Sequence, residues 1–170
     1  MARAVFVVAK NGLRDEELFH SREELEKAGV KTVVASSSRG ECFGRLGGKA
    51  VAELALNDVD AGGFDAIVFV GGPGAVQYFN DRSALGLAKR FRDAGKVVAA
   101  ICIAPNILAN AGILRGVRAT CFPDPESKEN LKEKGAKYVE GPVVADGKII
   151  TANGPAAARE FGKKIAHALG

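Results

Sequence analysis

The feature that most constrains this chain is a repeated change of hydrophobic period. Short β-branched runs alternate with amphipathic stretches, as where "RAVFVVA" leads into "DEELFHSREELEKAG" and then "KTVVAS". Parallel strands need long crossovers, so this order predicts a parallel sheet covered by helices. In the first helical stretch Leu18, Arg22/Leu25 and Ala28 space an inward face, Asp15, Glu16 and Glu17 suit the positive end, and Gly29 stops the helix. "GFDAIVFVGGPGA" reads as a buried strand entering a glycine turn, "SALGLAKRFRDAG" as a helix and "KVVAAIC" as the next strand. A helix follows from Pro105, then a short strand "VRATCF" and a polar helix "PESKENLKEKGA". In "VVADGKIITA" the pair Asp146-Gly147 predicts a type I′ hairpin, and Pro155 opens a last helix reaching Leu169. The expectation is one doubly wound α/β domain over residues 1–170, with "SSSRGECFGRLGGKAVAELALND" showing no clear period.

Composition narrows the functional classes. At 170 residues and 47% hydrophobic content the chain can bury a substantial core. The net charge of +4 is spread and interleaved with acids, so no nucleic-acid stripe is expected. Cys42, Cys102 and Cys121 are too few and too scattered for a disulfide framework, which suits a reducing, cytoplasmic setting. The opening apolar run stops at Lys10 and reads as a strand rather than a leader, and no segment approaches the roughly 18 apolar residues of a membrane span.

In an open α/β sheet, ligands collect at the carboxyl ends of the strands. Three features belong there. Cys102 lies where "VVAAIC" turns into a proline-led helix, a place where unpaired N–H groups would favour the thiolate and the Ile103 amide could face an oxyanion. The residues alone equally allow a small hydrophobe filling a tight junction. "VGGPG" lets backbone approach a ligand or simply turns the chain; Pro73 removes one donor and no dinucleotide fingerprint follows. "GGKA" fails as a phosphate loop because Ala50 stands where a magnesium-binding hydroxyl belongs. Glu17 sits in a charge run that is either solvated or, if it turns inward, a proton carrier. His20 and His167 read as surface or rim residues, and neither they nor the cysteines have metal-ligand spacing.

Taken together, "AICIAP" around Cys102, "VFVGGPGA" around Gly72, "LRDEEL" around Glu17 and "ITANGPAAA" before the last helix resemble the ThiJ/PfpI family along nearly the whole chain. The resemblance implies a flavodoxin-like sandwich, a nucleophile-elbow cysteine and a homodimer. It places Cys102 on the reactive cysteine, Glu17 on the acidic residue that hydrogen-bonds it, and Gly72 and Ile103 on the backbone positions beside the anion site. His20, Cys121, Phe122 and Asn153 are further pocket candidates. Two departures matter. Ile103 stands where peptidase-like members carry histidine, and Phe122-Pro123 stands where other members place a histidine before the proline. Acyl transfer to an amine needs such an imidazole, so proteolysis is disfavoured. The resemblance therefore implies glyoxalase- or deglycase-like chemistry on a small reactive carbonyl, with no cofactor, metal, nucleic acid or membrane. The alternative is a redox sensor or chaperone acting through oxidation of Cys102.

Overall fold

The early strand-to-helix alternations become crossovers of one mostly parallel sheet in the computed structural model, which describes residues 1–170. The chain forms β1 (Arg3–Val7), β2 (Asn11–Leu13), α1 (Asp15–Lys27), β3 (Lys31–Ser36), β4 (Gly40–Gly44), β5 (Lys49–Ala52) and β6 (Leu54–Ala55). It continues through β7 (Ala66–Phe69), α2 (Arg82–Asp93), β8 (Val97–Ile101), α3 (Pro105–Asn110), β9 (Arg118–Ala119) and α4 (Pro125–Glu133). The last elements are β10 (Lys137–Tyr138), β11 (Val143–Asp146), β12 (Ile149–Ala152) and α5 (Ala158–Leu169). The main sheet runs β11-β12-β8-β7-β1-β3-β6, parallel throughout except where β11 returns antiparallel on β12.

Alternate side chains feed two cores. Val5 and Val7 of β1, Ile67 and Phe69 of β7 and Val98 and Ala100 of β8 pack with Leu87 and Phe91 of α2, Ile107 of α3 and Leu131 of α4. Ala4, Phe6, Val68, Ala99 and Ile101 point the other way, toward Leu18 and Leu25 of α1 and Phe161 and Ile165 of α5. Helices cover both faces, so the central strands read as nearly unbroken apolar runs. The architecture is α/β with a mostly parallel central sheet. No helix is long and apolar enough to cross a membrane.

Local readings needed correction in five places. The inward face of α1 is Glu17, Leu18, Ser21, Glu24 and Leu25, while Ala28 lies past the last helical residue and is exposed. Close packing explains it: a Cβ on Gly162 of α5 would meet the Ser21 carbonyl oxygen at 2.7 Å, and Arg159 reaches Glu24 at 2.8 Å. The first strand divides, ending at Val7, with β2 leaving to pair with β4. The "VRATCF" strand shrinks to Arg118–Ala119, paired with β10. Beyond it, Thr120 N–H donates to Thr151 Oγ1 at 2.9 Å and Phe122 N–H to the Cys102 carbonyl at 2.7 Å, so side-chain and turn acceptors replace a ladder. The hairpin loop is Gly147-Lys148, because Asp146 still pairs with Ile149. Of these two only Gly147 has positive φ, which is the II′ pattern and not the expected I′. Finally, the stretch without a clear period supplies β4, β5 and β6; β4 and β5 form an antiparallel hairpin beside β2.

Candidate active site

Sheet order reverses at β1, whose successors lie on one side through β3 and on the other through β7 and β8. Loops diverge above such a point and leave a crevice. Three chain segments meet there: the start of α1 after β2, the glycine turn after β7 and the junction after β8. They bring Glu17, Gly72 and Cys102 into one cleft of about 350 Å³, lined also by Arg14, Arg45, Pro73, Ile103, Phe122 and Pro155.

Cys102 is the one non-glycine residue with positive φ, at 66°. That backbone costs energy for any residue with a Cβ, and it persists because its surroundings hold it. Its N–H donates to the Ala152 carbonyl at 2.9 Å and its carbonyl accepts from Phe122 N–H. The resulting turn directs the side chain between α1 and the glycine turn, leaving the residue 9% exposed. The amides of Ile103 and Gly72 face the sulfur and favour its anion.

Glu17 is fully buried. Its Oε1 accepts from Gly71 N–H at 2.9 Å, whereas Oε2 is buried with no hydrogen-bond partner, so the expected bond to the Cys102 sulfur is not formed in this geometry. The close approach needs glycine at 71, since a Cβ there would come within 2.5 Å of Glu17 Oε1 and 2.7 Å of the Cys102 Cβ. Gly72 is tighter still: its φ is 102° and a Cβ would meet Gly12 O and Arg14 N at 2.4 Å.

Burial pushes the Glu17 carboxyl up to about 7, despite the lowering effects of the neighbouring Cys102 thiol and of the hydrogen bond from Gly71. The Cys102 thiol goes up to about 12, first through burial, then through the neighbouring Glu17 charge. This reverses the thiolate preference expected from a helix end. Only six residues follow in α3, Pro105 has no N–H, and the Ala104 amide is already bonded to the Ile101 carbonyl. With Glu17 neutral, however, the charge repulsion disappears and its O–H can donate to sulfur. The pair is therefore suited to share a proton between carboxyl and thiol.

The predicted pocket residues separate. Phe122 lines the cleft. His20 lies in an adjoining depression with Glu16, Pro155, Ala156 and Arg159. Cys121 is fully buried in the opposite core, and Asn153 lines neither space; its N–H donates to the Pro142 carbonyl at 3.0 Å. No histidine of this chain lines the Cys102 cleft. Nowhere do three or more His, Cys, Asp or Glu side chains converge in a way that could hold a metal ion.

Arg14 and Arg45 were not singled out by sequence reasoning. Arg14 forms a two-pronged pair with Glu16, Nε to Oε1 and Nη2 to Oε2, each at 3.0 Å. Arg45 arrives on the β4–β5 loop, which Asp15 holds by accepting from Leu46 N–H at 2.9 Å and Gly48 N–H at 2.7 Å. A lone arginine in a glycine-rich turn carries no periodic signal, so only the fold reveals its neighbours.

Comparison with known proteins identifies relatives along nearly the whole chain. The chain is 44% identical over 169 residues to an uncharacterised protein of Methanocaldococcus jannaschii, covering 99% of this chain and 82% of the other. It is 34% identical over 165 residues to a deglycase of Pyrococcus abyssi, covering 95% of this chain and 98% of that protein. A glutathione-independent glyoxalase of Caenorhabditis elegans is 30% identical over 166 residues, with coverage of 98% and 88%. The crystal structure of a ThiJ/PfpI domain protein from Brachyspira murdochii superposes with a TM-score of 0.95 at 37% identity, covering 98% of this chain and 95% of that one. The model of the DJ-1/PfpI family matches residues 2–168, and the chain belongs to that family.

Proposed function

We propose that this protein is a cysteine-dependent enzyme acting on reactive dicarbonyls, converting methylglyoxal to lactate or removing early carbonyl adducts. The observation that carries the reading is the buried Glu17 carboxyl, raised to about 7, beside the sulfur of Cys102 on its strained turn. The deglycase of Pyrococcus abyssi and the glyoxalase of Caenorhabditis elegans support the same class of chemistry.

The reaction follows from one proton and two sites. The proton passes from sulfur to Glu17, and Sγ adds to the aldehyde carbon as the carbonyl π pair moves to oxygen. Glu17 protonates that oxygen, giving a hemithioacetal, while the Gly72 and Ile103 amides stabilise the passing negative charge. The Glu17 carboxylate then takes the aldehyde-derived C–H proton and returns it to the adjacent carbon through an enediol, while the hemithioacetal hydroxyl proton ends on the former ketone oxygen. The first carbon reaches thioester oxidation level as the ketone is reduced to an alcohol, so no outside oxidant or reductant enters. Water cleaves the thioester and restores the thiol. Each step needs a nucleophile and one carboxyl, and none needs an imidazole.

Turnover of methylglyoxal is expected to vanish in Cys102→Ser and to fall at least about 100-fold in Glu17→Gln, the size of a lost general acid–base group. Lactate release measured with the wild type and both variants tests this. Retention of activity in Cys102→Ser sinks the mechanism.

A second reading has one observation of its own. A neutral Glu17 and two amides around a slightly exposed sulfur would also stabilise a sulfinate. If the wild type turns over no dicarbonyl while peroxide adds two oxygens selectively at Cys102, as read by peptide mass, the sensor reading replaces the enzyme.

A further inference from the structure

The charge of the cleft lining is not used by the carbonyl chemistry above. We propose that Arg45 forms a carboxylate-recognition subsite, so that the preferred substrates are reactive dicarbonyls carrying a carboxylate beyond the reacting carbons. This rests on the dicarbonyl reading of the same site. Arg14 and Arg45 both line the cleft that holds Cys102. The Arg14 fork is occupied by Glu16 through both Nε and Nη2. Arg45 has no carboxylate of this chain within ion-pair distance.

The backbone of Arg45 is nevertheless fixed. Its N–H donates to the Leu13 carbonyl at 2.8 Å, and the following loop is clamped by Asp15 through Leu46 and Gly48. The glycines at 44 and 48 are needed for that clamp, since a Cβ at either would lie within 2.5 Å of an Asp15 carboxylate oxygen. The held loop thus sets Arg45, exposed and without a carboxylate partner, on the rim of a cleft whose remaining wall includes Pro73, Ile103, Phe122 and Pro155. Arg14 is balanced by Glu16, which leaves Arg45 as the guanidinium of the lining without a carboxylate partner. That matches a monoanionic carboxylate better than a phosphate ester, which carries about −1.5 to −2 at neutral pH. A guanidinium fork also fits the two oxygens of a carboxylate.

For a substrate such as 4,5-dioxopentanoate, Sγ would bond to the aldehyde carbon while the distant carboxylate pairs with Arg45. The aldehyde carbon is oxidised as the ketone carbon is reduced, water is consumed, and 2-hydroxypentanedioate leaves.

Two measurements test the subsite. The first does not depend on turnover: Cys102 is alkylated with iodoacetate and with iodoacetamide, and the two rates are read by peptide mass. The iodoacetate to iodoacetamide ratio is expected to fall about tenfold in Arg45→Gln, to fall less in Arg45→Lys, and to shrink in the wild type as salt is raised. The second compares kcat/KM for 4,5-dioxopentanoate with that for uncharged 2-oxopentanal of the same carbon number. Wild type is expected to prefer the anion about tenfold, and Arg45→Gln to lose that preference. An alkylation ratio equal in wild type and Arg45→Gln overturns the subsite. Equal turnover of both dicarbonyls in both proteins overturns the substrate assignment while leaving the dicarbonyl reading intact. Charge-selective alkylation without turnover of either compound upholds the subsite and overturns the dicarbonyl reading.

Discussion

A buried carboxyl and a buried thiol that compete for the same proton give a measurable pH signature. Glu17 is raised to about 7 and Cys102 to about 12, the latter partly by the Glu17 charge. The pair therefore loses its first proton near 7 and its second far above the physiological range. Between these limits one proton is shared, and the tautomer with neutral Glu17 and anionic sulfur has a constant population. Alkylation of Cys102 by a neutral reagent is thus expected to rise with pH through about 7 and then level off. In Glu17→Gln the step near 7 disappears, because only sulfur titrates, and the rate climbs in a single step at higher pH. A stopped-flow rate–pH profile with iodoacetamide shows which holds; an unchanged inflection in Glu17→Gln removes Glu17 from the proton-sharing pair.

The junction of strand and helix at Cys102 was visible in the sequence because "VVAAIC" and the proline-led segment change period within a few residues. The inward turn of Glu17 was not, and α1 shows why. Its buried face includes Glu17, Ser21 and Glu24, polar residues that periodicity assigns to solvent. Their reasons lie far along the chain: Gly71 N–H for Glu17, the closely packed Gly162 for Ser21, and Arg159 for Glu24. The β4–β5 hairpin was illegible for a related reason. Its loop is fixed by Asp15, more than 30 residues earlier, and not by its own turn chemistry. Removing that carboxylate leaves the part-buried Leu46 and Gly48 amides to find water instead, a loss of about 0.5–1.5 kcal/mol for each hydrogen bond. Asp15→Ala is expected to loosen residues 44–48 locally, so that trypsin cuts after Arg45 several-fold faster while α1 and the main sheet stay protected. Timed digestion followed by peptide mass reads this, and unchanged cleavage after Arg45 shows that Asp15 does not hold the loop.

At the scale of the molecule, the alternation of strands and helices was enough to predict the parallel sheet and its covering layers. It could not give the strand order, which depends on which crossovers go left or right of β1, and that order creates the crevice. The sheet brings Glu17 from one side of the reversal to Gly72 and Cys102 from the other, and so places an ionisable group in the interior. This placement links the site to global stability. The folded carboxyl holds its proton up to about 7, against 4.5 for an ordinary glutamate, so between those values the native state binds more protons than the unfolded chain. Stability from this group is present below about 4.5 and is lost as pH rises through about 7. The full effect is on the order of 3 kcal/mol, by 1.36 kcal/mol per pKa unit. Glu17→Gln keeps an oxygen that can accept from Gly71 but cannot ionise. The unfolding free energy of wild type minus that of Glu17→Gln is therefore expected to fall with rising pH across this window and to flatten above it. Urea titrations of both proteins from acid to neutral pH supply the difference. A constant difference means that Glu17 titrates in the folded protein as it does in the unfolded chain, and the proton-sharing pair loses its physical basis.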